Sequence, residues 1–171
     1  WRPARCCVRE GPAVRLARSS LRSVSDHRER NAAERERMQR LMARLSDEDL
    51  HRDADDGWTV AATFAHIAFW DRVSRARWEA ALRPEGPGFV SYPQELIDWV
   101  NAAALPQWRS LAPRAALMDA LSAAADVDAL IERLPTPTVD EALATGRARM
   151  LDRSVHRRDH LDRIERALGI P

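Results

Sequence analysis

The sequence predicts an all-α protein, a four-helix bundle with long interhelical connections. Three observations lead there. Four long stretches carry apolar residues at helical spacing, no segment alternates apolar and polar residues with period two, and 171 residues suit one domain. A chain of this length can bury a core without disulfide or metal staples.

Residues 1–25 hold six arginines and one glutamate, a charge of +5, which leaves −4 for the remainder at a net charge of +1. They are expected to form a basic, disordered N-terminal extension ahead of a domain spanning 26–171. The first helix is expected from Asp26 to Leu45. It opens on a charged block, Arg28 to Arg37, and continues with Met38, Leu41, Met42 and Leu45 on one face. Ser46 to Gly57 is rich in aspartate and reads as a loop with at most one short turn.

A second helix runs from an N-cap at Thr59 to about Leu82. At about 100° per residue, Asp71, Arg72, Arg75 and Glu79 fall on one side, with His66, Ala62, Trp70 and Val73 nearly opposite. His66 is therefore expected on the buried face. The prolines and glycines of Arg83 to Pro93 mark a loop, and Glu95 to Arg109 a short helix. Pro113 opens the third long helix, which runs to Leu134 on a stripe of Leu117, Leu121, Ala124, Val127, Leu130, Ile131 and Leu134. Leu134-Pro135-Thr136-Pro137 ends it, and a minor turn is expected over Val139 to Ala144. The last helix is expected from Arg147 to Leu168, stopped by Gly169. His156 and His160, one turn apart, share its inward face with Ile164 and Ala167.

Composition narrows the function. No apolar run approaches the roughly 20 residues of a membrane span. A basic tail on a mildly acidic body argues against nucleic-acid binding by the folded domain. Cys6 and Cys7, the two cysteines, are adjacent, so they build no disulfide framework and no cysteine-rich metal site. No glycine-rich phosphate loop and no G-x-S-x-G elbow is present. A cytoplasmic location is expected. All 27 basic residues are arginine, a bias that fits a GC-rich bacterial genome.

His66, His156 and His160 are the candidate metal ligands. Imidazole suits zinc, nickel, copper and iron, and two histidines four apart on a helix can grip one ion. Arg157 stands where the H-E-x-x-H proteases carry their general base, so protease chemistry of that kind is not expected. Three histidines on the inward faces of two helices need a common partner, because a buried imidazole without one is costly. Three nitrogen ligands would leave coordination positions open, the pattern of a catalytic site.

Other residues are read as follows. Trp70, a turn after His66, lines the site or packs in the core. Trp58 is expected to staple the start of the second helix rather than to touch substrate. Trp99 and Trp108 are expected in the core or at an interface. Asp159 falls on the charged side of its helix and is expected in solvent, as are His27 and His51.

The stretch Asp56-Gly57-Trp58-Thr59-Val60, followed by Phe64-Ala65-His66-Ile67-Ala68, resembles the opening motif of the DinB-like superfamily. Val155-His156-Arg157-Arg158-Asp159-His160-Leu161-Asp162-Arg163-Ile164 resembles its final helix. The resemblance covers about residues 26–168, and both motifs stand in the family order. It implies a four-helix bundle with one metal-ligating histidine on the second helix and two on the fourth, here His66, His156 and His160. It also implies a divalent ion, with zinc or nickel favoured by the ligands. Characterised relatives include S-transferases and isomerases that use low-molecular-weight thiols such as mycothiol. The function expected is thus a metal-dependent S-transferase or isomerase-type enzyme acting on a small thiol and an electrophilic substrate. The alternative is a non-catalytic metal- or small-ligand-binding stress-response protein. A homodimer is compatible with a small bundle carrying several tryptophans.

Overall fold

The computed structural model describes residues 12–83, 85 and 92–170, with side chains from His27 onward. Helix α1 spans Pro12–Met42. The start expected at Asp26 is corrected: the helix formers Ala13, Arg15, Leu16, Ala17 and Arg18 carry it back to Pro12, a residue favoured in a first turn. Residues 1–11 of the expected extension lie outside the described residues. Single-turn α2 (Asp47–His51) is closed by a capping box. Ser46 Oγ accepts from Asp49 N–H, and the Asp49 carboxylate accepts from Ser46 N–H at 2.9 Å.

A two-stranded hairpin follows, where the sequence led us to expect only loop. Strand β1 (Asp53–Asp55) pairs antiparallel with β2 (Trp58–Thr59). Its turn residues, Asp56 at φ +46° and Gly57 at φ +76°, are both left-handed, as a type I′ turn requires. Strands this short show no measurable alternation, although the Asp-Gly pair is itself a hairpin signal.

Helix α3 (Val60–Ala81) starts as expected, with Thr59 Oγ1 accepting from Ala62 N–H at 3.1 Å. Helix α4 (Gln94–Ser110) matches the expected short helix, and most of the loop before it falls outside the described residues. Helices α5 (Pro113–Glu132) and α6 (Thr136–Ala144) also match.

The last helix is corrected into two, α7 (Ala148–Leu151) and α8 (Ser154–Leu168). The side-chain amide of buried Asn31 spans the break. It donates to the Leu151 carbonyl at 2.9 Å and accepts from Ser154 N–H at 2.9 Å. Gly169, at φ +66°, ends α8 in a left-handed cap.

Helices α1, α5, α3 and α8 pack in that cyclic order as a four-helix bundle, with α4 against the outside of α3. The α3–α5 seam is the most extensive. Small side chains on both helices, Ala61, Ala65 and Ala68 against Ala116, Ala120 and Ala123, let the backbones approach closely. The expected apolar stripes form the main core, where Met38, Leu41, Phe64, Ile67, Leu117, Leu161 and Ile164 meet. A second core, of Trp78, Val127, Ile131, Leu134, Met150 and Leu151, lies under α6 and α7. Between the two, along each helix, sits a polar layer that includes Asn31, Asp71, Asp128 and Arg157, all buried. Among the described residues, no helix is long and apolar enough to cross a membrane.

Candidate metal centre

Helix α3 supplies His66 and α8 supplies His156 and His160, on the faces that the spacing indicated. The structure brings the three together. One ligand atom from each lies within 4.8 Å of the other two, and among the described residues no fourth His, Cys, Asp or Glu joins them. The Nε2 atoms of His66 and His156 are 3.2 Å apart. Two ligands held tetrahedrally at about 2.05 Å from a zinc ion would stand about 3.3 Å apart, so the spacing fits one shared ion.

Electrostatics favour the neutral form that a metal needs. Burial, helped by the charges of His160, Arg153 and Arg163, pushes His66 down to about 3. Burial and then Arg163 push His160 down to about 4. Burial, followed by Arg153 and the other two histidines, holds His156 well below the ordinary imidazole value. All three rings are therefore neutral near pH 7 and keep a lone pair to donate.

The outer contacts depart from the usual carboxylate or carbonyl support of a metal-ligating histidine. His66 Nδ1 is buried with no hydrogen-bond partner. His156 Nδ1 lies 3.4 Å from Nη2 of Arg153, a group that can only donate. That contact suits a neutral His156 with its proton on Nε2, whereas an ion bound at Nε2 would take the other tautomer, with the proton on Nδ1.

Three tryptophans enclose His66. Trp58 and Trp108 meet its ring edge-on, with centroids 5.1 Å and 5.2 Å away, and Trp70 lies at 6.4 Å. Trp70 lines the site, its Nε1–H donating to Asn101 Oδ1 at 2.9 Å. Trp58 packs against the cluster of Ala62, Ala65, Trp108 and Ala116 and also forms a wall of the site, its indole edge-on to His66. The histidines open on a cleft of about 700 Å³ lined by α3, α8, the hairpin, α4 and the segment around α7.

Other residues move as well. Trp108 is buried as expected, and Trp99, expected in the core or at an interface, lies outside the core at 71% exposure on α4. His51 and Asp159 are exposed as expected, with Asp159 at the cleft rim, whereas His27 is buried in α1. Asp71, which the helical wheel placed on a charged outer side, is fully buried. Its carboxylate takes Arg153 Nε at 2.8 Å and Arg157 Nε at 3.0 Å. Arg153 and Arg163 went unnoticed in the sequence, although they lie three residues before His156 and three after His160, on the same helical face.

The sequence pattern of the DinB superfamily matches residues 30–163. No curated protein and no solved structure matches the chain. The matched span runs from within α1 to near the end of α8, so it takes in part or all of each bundle helix and all three histidines. On that span, the chain belongs to the DinB superfamily.

Proposed function

We propose that His66, His156 and His160 hold a divalent ion, zinc or nickel, and that the protein is an S-transferase of a small thiol such as mycothiol to an electrophilic substrate. One observation carries this reading. Three neutral imidazoles converge, with no fourth protein ligand among the described residues, and face a cleft large enough for a small molecule. An ion bound there would supply Lewis acidity, lowering the pKa of a thiol or water that joined it.

The protein's own residues would do the rest. The histidines stay unprotonated and hold one face of the site. Trp58 and Trp108 keep water from His66, and Trp70, fixed through Asn101, forms a flat wall for an organic ligand. The match to the superfamily supports the family setting of this reading, not its substrates.

Metal analysis of wild type beside His160→Ala tests the first half. Wild type is expected to retain about one ion per chain, and the variant to lose most of it, since an open site with two imidazoles binds far more weakly. Negligible metal in both proteins would sink the site. Transfer of a thiol to an activated aryl chloride by the loaded protein tests the second half. Retained metal without thiol dependence would point to the non-catalytic, ligand-binding alternative.

A further inference from the structure

His156 meets a cation at its outer nitrogen. Arg153, the residue before α8, stands about one helical turn ahead of it, so the two side chains share a face. Its Nη2 lies 3.4 Å from His156 Nδ1, and a guanidinium has hydrogens to donate but no lone pair to accept with. The contact therefore suits a ring that offers its Nδ1 lone pair and keeps its proton on Nε2. That second nitrogen is the one that faces His66 at 3.2 Å.

Arg153 is held in that place from behind. Its Nε donates to Asp71 Oδ1 at 2.8 Å, and Asp71 Oδ2 takes Arg157 Nε at 3.0 Å, so both oxygens of this fully buried carboxylate are engaged. Asp152, the neighbouring carboxylate in sequence, takes Arg30 and the Ser154 hydroxyl. A metal-ligating histidine usually has a carboxylate or carbonyl behind it. Here two carboxylates are occupied by other groups, and a donor stands at His156 Nδ1 instead. The Arg153 side chain is 12% exposed, so little water is at hand to take over its donors.

We infer that Arg153 is a positioning residue that opposes ion binding: seated on Asp71, it favours the His156 tautomer with the proton on Nε2 over the one an ion needs. With an ion on Nε2 the ring proton would stand on Nδ1, and two donors, that N–H and the guanidinium, would face each other. The guanidinium also sets a positive charge beside the site, which repels a divalent ion. Arg153 thus makes the site hold its ion loosely. The inference rests on the three-histidine reading above and deepens it by naming what regulates the affinity.

Zinc affinity of the full chain, measured by competition with a chromophoric chelator, tests this at Arg153. Arg153→Met removes the donors and the charge. It is expected to bind zinc about tenfold or more tightly than wild type, the scale on which partners of a metal-ligating histidine change affinity. Arg153→Gln, whose carbonyl oxygen can accept from Nδ1–H, is expected to bind at least as tightly as the Met variant. Arg153→Lys keeps a charge and only donors, and should stay close to wild type. Arg158→Gln, whose partner is Glu34, should leave the affinity unchanged. Asp71 retains Arg157 in every Arg153 variant, so the fold is expected to survive, and circular dichroism checks that it does. A second readout needs no metal. Nitrogen NMR of the metal-free histidine rings is expected to show His156 protonated on Nε2 in wild type and more on Nδ1 in the Met and Gln variants, a change that a purely structural role for Arg153 would not produce. Zinc bound equally by wild type and by the Met and Gln variants overturns the inference and leaves the histidine site standing. So does a wild-type His156 with its proton on Nδ1. No zinc on any of these proteins overturns the site and the inference together.

Discussion

A guanidinium without water around it stays in a bundle core because carboxylates meet it there. Arg157 is fully buried, and it reaches Asp71, Asp128 and the backbone carbonyls of Asn31 and Ala124 within 3.3 Å. Burial alone would lower its pKa, but Asp71 and Asp128 outweigh that and hold it above the ordinary arginine value. Removing the cation would leave Asp71 with Arg153 and Asp128 with Arg35 but strip both buried carboxylates of the guanidinium that joins them. Arg157→Leu is therefore expected to destabilise the fold by about 3–5 kcal/mol, while Arg158→Ala, at a half-exposed pair with Glu34, costs about 0–1 kcal/mol. Urea unfolding of the two variants checks the contrast, and similar losses would refute it. The sequence displayed Arg157 only as the residue standing in place of a protease base. A helical wheel sorts polar from apolar side chains. It does not distinguish a solvated charge from one met by an opposite charge on a neighbouring helix, which is why Asp71 was misplaced while His66 was not.

At the scale of elements, the histidine pair depends on where α8 begins. The chain leaves α7 at Leu151 and re-enters a helix at Ser154, and Asn31 satisfies one backbone group on each side of that break. A buried carbonyl or N–H left without its partner costs about 1–3 kcal/mol. Asn31→Ala is thus expected to lower stability by at least that much and to speed hydrogen exchange at the Ser154 amide, with exchange near Leu117 in the main core little changed. Uniform acceleration across the protein would mean that Asn31 serves the bundle at large and not this junction. The four long helices were legible because each presents an apolar stripe over several turns. The break was not, since its cause is a side chain 120 residues away on α1. The hairpin was half legible: Asp56-Gly57 announces the turn, and its strands are too short to announce themselves. That hairpin is also what carries Trp58 onto His66, so the wall of the site was hidden along with it.

For the whole molecule, neutral histidines between α3 and α8 tie stability to pH. In the folded chain His66 titrates at about 3 and His160 at about 4, against 6.5 when unfolded. As pH falls below 6.5, the unfolded chain takes up protons on these rings and the folded chain does not. The stability they lend is complete above that value and is lost progressively on the way down to pH 4 and then 3. The urea midpoint of the metal-free protein should therefore drop between about pH 7 and pH 5, a range in which carboxylates of ordinary pKa remain ionised. The double variant His66→Gln, His160→Gln should show a shallower drop, whatever its stability at neutral pH. Metal-loaded protein should fall more steeply than metal-free over the same range, because protons compete with the ion for the same nitrogens. A double variant with the slope of wild type would show that other groups set the acid limit. A loaded protein no steeper than the metal-free one would mean that the ion does not sit on these three rings.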